Sequence, residues 1–268
     1  MNVRILTLLI GIFSTVVQGI EAEAFDVTFT ANDGIRIESD KEILFVDAIY
    51  KHYTNWEGFS FDAMPENLIA RIEQEKKTIS ILSTHVHRDH FHPEVIGELM
   101  DVYKNVSSYG PRQVVESIKE GFINEHRINK RLNCIGSAGC DSSYATIDGL
   151  EIKGVSLKHT HQSYDWIENI AFLIQNNNQV ILHVGDAMLS TKNIALIKQQ
   201  NQAIDLALLP YWTALDSKTF DAFMQLIKPK KVALIHLPGA QVEQVIKHIS
   251  ELNYKNIVVP KSDEKISF

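Results

Sequence analysis

Cysteine is nearly missing from this chain: of 268 residues only Cys134 and Cys140 carry a thiol. Neither has the surroundings of a metal ligand. In an oxidising compartment the pair would close a short loop; elsewhere they would be two free thiols of a surface segment. Long basic runs are absent too, and the formal net charge is −7. Nucleic acid, which is gripped by clustered Lys and Arg, is therefore not the expected partner. The sequence has no internal repeat and no low-complexity tract. Past the N-terminus no apolar run is long enough to cross a bilayer. What is present is ordinary for a globular protein: 45% hydrophobic residues, enough for a sizeable core, in a length compatible with one domain.

The first two dozen residues differ from the rest. Met1-Asn2-Val3-Arg4 carries one positive charge, Ile5 to Val17 is mostly apolar, and Ala22-Glu23-Ala24 places small residues at −3 and −1 of a cut after Ala24. That layout predicts a secretory signal peptide over 1–24 and a mature single domain over 25–268, periplasmic or secreted. An uncleaved anchor is the alternative, but Gly11, Ser14, Gln18 and Gly19 break an already short apolar run. No cysteine follows it, so a lipoprotein is not suggested.

The chemistry is densest in Thr84-His85-Val86-His87-Arg88-Asp89-His90, where four of eleven histidines fall between His85 and His92. Imidazole and carboxylate are the ligands of zinc and similar divalent ions. The apolar run Ile79-Ser80-Ile81-Leu82 before it reads as a buried strand. In an extended segment His85 and His87 point the same way and reach one ion. Asp89 and His90 lie beyond the strand end and can be aimed at a second point. Pro93 then opens a helix running to Met100.

This H-x-H-x-D-H spacing resembles the metallo-β-lactamase fold superfamily, and later segments follow that family's order. Lys158-His159-Thr160-His161-Gln162-Ser163 resembles the element that supplies a third histidine. The correspondence selects His159, although strand alternation puts His161 on the same side. Gln179-Val180-Ile181-Leu182-His183-Val184-Gly185-Asp186 resembles the strand whose Gly-Asp gives the metal-bridging carboxylate; His183 reads as a buried structural residue. Lys231-Val232-Ala233-Leu234-Ile235-His236 resembles the strand that completes the second site. The resemblance thus implies one metal on His85, His87 and His159, another on Asp89, His90 and His236, and Asp186 spanning both. It implies a support role for Asp47, which otherwise reads as a strand-end carboxylate in a turn.

The remaining segments complete the expected layout. Phe25–Thr30, Gly34–Glu38 and Glu42–Asp47 read as three strands joined by the turns Asn32-Asp33-Gly34 and Ser39-Asp40-Lys41. Residues 48–63 form an aromatic loop that either packs on the core or walls a pocket. Helices are expected over 65–76, 111–121, 220–227 and 241–252, and further strands over 152–159, from 169, over 205–210 and 256–260. Residues 122–143 give no assignment. Tyr164, Trp166, Tyr211 and Trp212 are candidate pocket residues.

The fold implied is α/β, a four-layer αββα sandwich of two mixed β-sheets flanked by helices. The function implied is that of an exported metallo-hydrolase with two divalent ions. Zinc is expected first, and an N/O ligand set also admits manganese or iron. Two dications about 3.5–4 Å apart acidify a shared water to a pKa of about 7, and the resulting hydroxide would cleave an ester, lactone, amide or phosphoester bond. Asp89 or Asp186 would carry the proton to the leaving group. The expected partner is a small-molecule substrate, with no stable membrane span after signal removal; oligomeric state is open. The lactonase-like branch is the nearest within the family. A true β-lactamase is a weaker match, since that branch lacks the bridging Asp. A metal-binding protein of the same fold without turnover is the alternative of another class.

Overall fold

Runs of two to eight residues, most of them rich in apolar side chains and broken by turns, build two sheets whose strands lie side by side in sequence order. The computed structural model describes residues 25–30, 32–39, 41–50, 77–122, 124–147, 149–176, 179–237, 242–252 and 254–268. The expected signal peptide, most of the aromatic loop and the expected helix over 65–76 lie outside these residues. The first sheet holds β1 (Asp26–Phe29), β2 (Ile35–Glu38), β3 (Glu42–Val46), β4 (Thr78–Leu82), β5 (Val106–Gly110) and β6 (Leu132–Cys134). The second holds β7 (Tyr144–Ile147), β8 (Leu150–Leu157), β9 (Asn169–Gln175), β10 (Val180–His183), β11 (Leu206–Pro210), β12 (Lys231–Ile235) and β13 (Ile257–Val258). Each sheet begins with antiparallel pairs and ends with parallel ones.

Alternation along each strand decides the layers. Leu44, Val46, Ile170, Phe172, Ile181, Leu206, Leu208 and Ile235 face inward and fill the space between the sheets. Their neighbours Ile43, Phe45, Ile79 and Ile81 face outward onto the helices Pro93–Val102 and Arg112–Gly121. On the far side Leu173, Leu182, Ala207, Leu209 and Leu234 meet the helices Thr191–Lys198 and Ser217–Ile227. Strands covered on both faces need apolar residues at every position, which is why β10, β11 and β12 read as continuous runs. Each fully buried Leu, Ile or Phe contributes roughly 1.5–3 kcal/mol. The result is the αββα sandwich that the sequence implied.

The structure adds elements that the sequence concealed. β5 carries two serines, one of them, Ser108, fully buried, so its apolar signal is weak; pairing to β4 and β6 makes it a strand. Residues 122–143 contain two short 3-10 turns and β6. The helix Thr191–Lys198 buries only Ile194 and Ile197 among its apolar residues, and Ser190 caps it by accepting from Asn193 N at 3.2 Å. The two cysteines are joined, so the open pairing resolves to a Cys134–Cys140 disulfide. The loop it closes caps the Arg112–Gly121 helix: Arg112 N donates to Ser137 Oγ at 2.9 Å, and the Arg112 guanidinium donates to Gly139 O. A ring this small removes limited chain entropy, about 2 kcal/mol. The Cys134→Ser/Cys140→Ser variant is expected to lose that much in a urea titration, with an unchanged far-ultraviolet spectrum.

Candidate metal centre

β8, β10 and β12 run in one direction within their sheet, and the carboxyl ends of β3 and β4 reach the same region from the other sheet. Polar residues placed just beyond these ends therefore converge. After β4 the chain carries His85 and His87, then turns: His90 N donates to His87 O at 3.1 Å. The turn swings Asp89 and His90 away from His87. His159 follows β8 and pairs with Ala187 in an isolated bridge, which seats it beside Asp186. His236 follows β12 with a positive φ of 60°, and its N donates to Asn32 O at 2.7 Å. Asn32 Nδ2 in turn donates to Asp89 O at 3.0 Å, tying two of the loops together.

All seven residues singled out from the sequence come together. The rings of His85, His87 and His159 surround one point, with centroids 4.7, 4.8 and 5.1 Å apart. Asp186 Oδ2 faces this group, 3.4 Å from His159 Nε2 and 3.8 Å from His85 Nε2. Its other oxygen, Oδ1, faces a second group, 3.3 Å from His90 Nε2 and 3.5 Å from His236 Nε2. Asp89 Oδ2 completes the second group, 3.3 Å from His236 Nε2. His161 does not take part. It is exposed, and its Nδ1 accepts from Ser163 N at 3.1 Å, capping a 3-10 turn.

A layer of buried groups holds these side chains. Asp47 accepts from Thr84 N at 2.7 Å and from Thr84 Oγ1 at 2.5 Å, and its Oδ2 lies 2.9 Å from His90 Nδ1. Of the two readings of Asp47, the support role is the one its contacts match. His183 is fully buried; its Nε2 donates to Asp33 O at 2.8 Å and its Nδ1 accepts from Gly185 N at 3.2 Å. Both nitrogens are engaged, as a structural histidine requires. Asn169 Oδ1 accepts from Asp186 N at 3.2 Å. Asp33, fully buried, lies 3.6 Å from both His90 Nδ1 and His183 Nε2; burial pushes its carboxyl up to about 6. Asn32, Asp33, Thr84 and Asn169 were not marked by the sequence: a turn, a strand end and a strand start disguise them.

Gly185 is the tightest point. Its φ is +56°, and a Cβ there would lie 2.6 Å from both Asn169 Oδ1 and Thr84 Oγ1. Left-handed strain and the clash together make Gly185→Ala cost about 2–4 kcal/mol. Thermal unfolding should show the loss, and metal content should fall with it because both clashing groups support the centre.

Burial works against charge on His85, His87, Asp89, His90, Asp186 and His236. It holds His85 neutral, well below the ordinary imidazole range, and lowers His87 to about 4, with His159 adding to the effect. Neutral imidazoles keep the lone pair a metal takes. For Asp186 and Asp89 burial also opposes ionisation, but His90 and His236 outweigh it and hold both well below the usual carboxylate range. Conversely His90 and His236 are raised, because the pull of Asp186 and Asp89 overcomes burial. The two carboxylates thus draw positive charge to this point.

The residues fit a pair of divalent cations. His85 Nε2, His159 Nε2 and Asp186 Oδ1 are buried without a hydrogen-bond partner among the described residues. Such atoms are costly unless something satisfies them. The donor atoms of His85, His87, His159 and Asp186 lie within 4.8 Å of one another, as do those of Asp89, His90 and His236. Nitrogen and oxygen donors gathered this closely suit first-row divalent ions. A cavity of about 380 Å³ opens over them, lined in part by Arg88, Thr160, Tyr164 and Trp212. The Tyr164 ring stands edge-on to His87 and His159, at 4.9 and 4.8 Å, and Trp212 stands 4.8 Å from His236. Trp166 and Tyr211 are not among the lining residues; Trp166 is largely exposed and its carbonyl accepts from Gln113 Nε2.

No curated protein sequence matches the chain. Similar solved structures share its fold at low identity. Igni18, a novel metallo hydrolase from the hyperthermophilic archaeon Ignicoccus hospitalis, is 19% identical with a TM-score of 0.62, over 91% of this chain and 98% of that one. CmlA, a diiron β-hydroxylase from Streptomyces venezuelae, is 11% identical with a TM-score of 0.59, over 92% and 55%. Human tRNase Z, short form, is 14% identical with a TM-score of 0.54, over 91% and 97%. These three carry different activities, so the shared fold does not by itself select a reaction. The model of the Beta-lactamase superfamily domain matches residues 58–258, most of the chain. The protein belongs to that beta-lactamase superfamily, and it shares its fold with the metallo hydrolase from Ignicoccus hospitalis.

Proposed function

We propose that the protein is an exported hydrolase dependent on two divalent metal ions, cleaving an ester, lactone, amide or phosphoester bond in a small molecule. One observation carries the reading: the Asp186 carboxylate divides its two oxygens between two adjoining histidine groups, which meet where the His85 and His90 rings stand 4.2 Å apart. In this reading His85, His87 and His159 hold one ion, Asp89, His90 and His236 hold the other, and Asp186 reaches both. Bound there, a pair of divalent ions supplies Lewis acidity and makes water a nucleophile near neutral pH. Asp89 and Asp186 present carboxylates to the cavity and can hold a proton on its way to the leaving group. Asp47 and Thr84 fix the rings of His90 and His85, so the donors need not reorganise when substrate enters. Zinc is proposed first; iron belongs in the test because a diiron protein shares the fold.

The net charge of −7 and a cavity of about 380 Å³ support a small substrate over nucleic acid. Export is supported by the N-terminal charge and apolar pattern and by the Cys134–Cys140 bond, which suits an oxidising compartment. Elemental analysis of natively purified protein, with a panel of chromogenic esters, lactones, phosphodiesters, a cephalosporin and an oligonucleotide, tests the function. Two metal ions per chain and turnover of one small-molecule class are expected. A metal-loaded protein inert to the whole panel would favour a binding role instead. The intact mass of the protein recovered from its host should correspond to a chain that starts at Phe25.

A further inference from the structure

One side chain in the cavity wall has no part in the proposed chemistry. Arg88 stands between His87 and Asp89, in the turn closed by His90 N and His87 O. Residues of the metal centre on both sides fix its backbone, so its position at the cavity mouth is set by the centre itself. It is exposed, and it makes no ion pair or hydrogen bond with any described residue. The two carboxylates that share the cavity wall with it are occupied elsewhere: Asp89 Oδ2 is directed at His236, and Asp186 at His85, His90, His159 and His236. Neither neutralises the guanidinium.

The charge balance makes this placement informative. With two dications bound, Asp89 and Asp186 would offset only half of their charge at the cavity, since the other buried carboxylates here, Asp33 and Asp47, lie behind His90 and do not line it. A guanidinium added at its rim is repelled by the remaining positive charge unless an anion lies between them. Guanidinium is also the group whose fork matches a carboxylate or phosphate in two parallel hydrogen bonds. The remaining wall is aromatic, with Tyr164 over one histidine group and Trp212 over the other. We infer that the substrate is a small oxyanion: a molecule bearing a carboxylate or phosphate, separate from the scissile bond, which Arg88 binds while its apolar body lies against Tyr164 and Trp212. This names the substrate class for the hydrolase reading above and rests on it. Arg88 is thereby a specificity-determining residue and takes no part in the bond cleavage.

The test is calorimetric titration of the metal-loaded, full-length mature protein with matched probes. Succinate, glutarate and adipate carry a second carboxylate; butyrate, valerate and hexanoate have the same lengths with one; 3-phosphonopropionate offers a phosphonate in its place. At least one doubly charged probe should bind tenfold or more tightly than its singly charged match. Arg88→Gln should erase that preference, and Arg88→Lys should keep part of it. The better of the carboxylate and phosphonate arms identifies the anion. No preference in the parent protein, or a preference that survives Arg88→Gln, overturns the inference. Elemental analysis of the same samples separates the two levels. Two ions per chain without Arg88-dependent preference sinks the anion subsite alone. A preference through Arg88 in protein that takes up no metal on attempted loading sinks the hydrolase reading and leaves the subsite standing.

Discussion

Asp186→Ala is expected to lower metal content at both positions and to reduce hydrolysis by at least about a thousandfold. Among the described residues, the carboxylate is the only group within reach of all four of His85, His159, His90 and His236, at 3.3 to 3.8 Å. Its loss removes a ligand from two sites at once and leaves His90 and His236 without the charge that chiefly raises them. The residue is only 6% exposed, so stability has to be followed beside activity. Asp186→Asn keeps the shape and discards the charge, and it should behave like the alanine variant in metal content while unfolding nearer the parent temperature. Retention of two ions and full turnover in both variants would remove Asp186 from the centre.

His87→Ala gives the second large effect, with a different signature. Hydrolysis should fall by about two orders of magnitude or more, since even groups that merely support a ligand are worth a factor of 10–100. The fold should survive. His87 lies at the edge of the cavity and is only partly buried, whereas His85 is fully buried and its truncation would leave a hole. Circular dichroism and thermal unfolding close to the parent, with metal content reduced, are the expected companions. Equal turnover in this variant, with metal demonstrably stripped, would defeat the metal assignment.

The extent to which these residues could be read in advance depends on how local their signals are. His85, His87, Asp89 and His90 fall within six consecutive positions after one buried strand, so the chain itself brings them together. Asp186 and His236 each close a run of apolar residues, and strand ends that share a direction share an edge. The choice between His159 and His161 was of another kind. Both lie on one side of an extended chain, but the strand ends at Leu157. Past that point His159 is anchored by its bridge to Ala187, and His161 turns outward to cap Ser163. The helix Thr191–Lys198 was hidden because only one narrow face is buried. Asp33 looked like part of a turn, and only the contact with His183, 150 residues away, shows it as a buried support.

The sequence by itself determined the layering, through alternation along each strand, and its motifs, by their resemblance to a known family, marked the candidate ligands that follow apolar runs. Only the tertiary structure decided the supporting contacts and the Cys134–Cys140 pairing. Alternation and strand-end chemistry are properties of neighbours along the chain. Thr84 on Asp47, Asn32 on Asp89 and Asp33 beside His183 join segments 37, 57 and 150 positions apart, and no periodicity in a sequence records which distant backbone will arrive to satisfy a buried polar group.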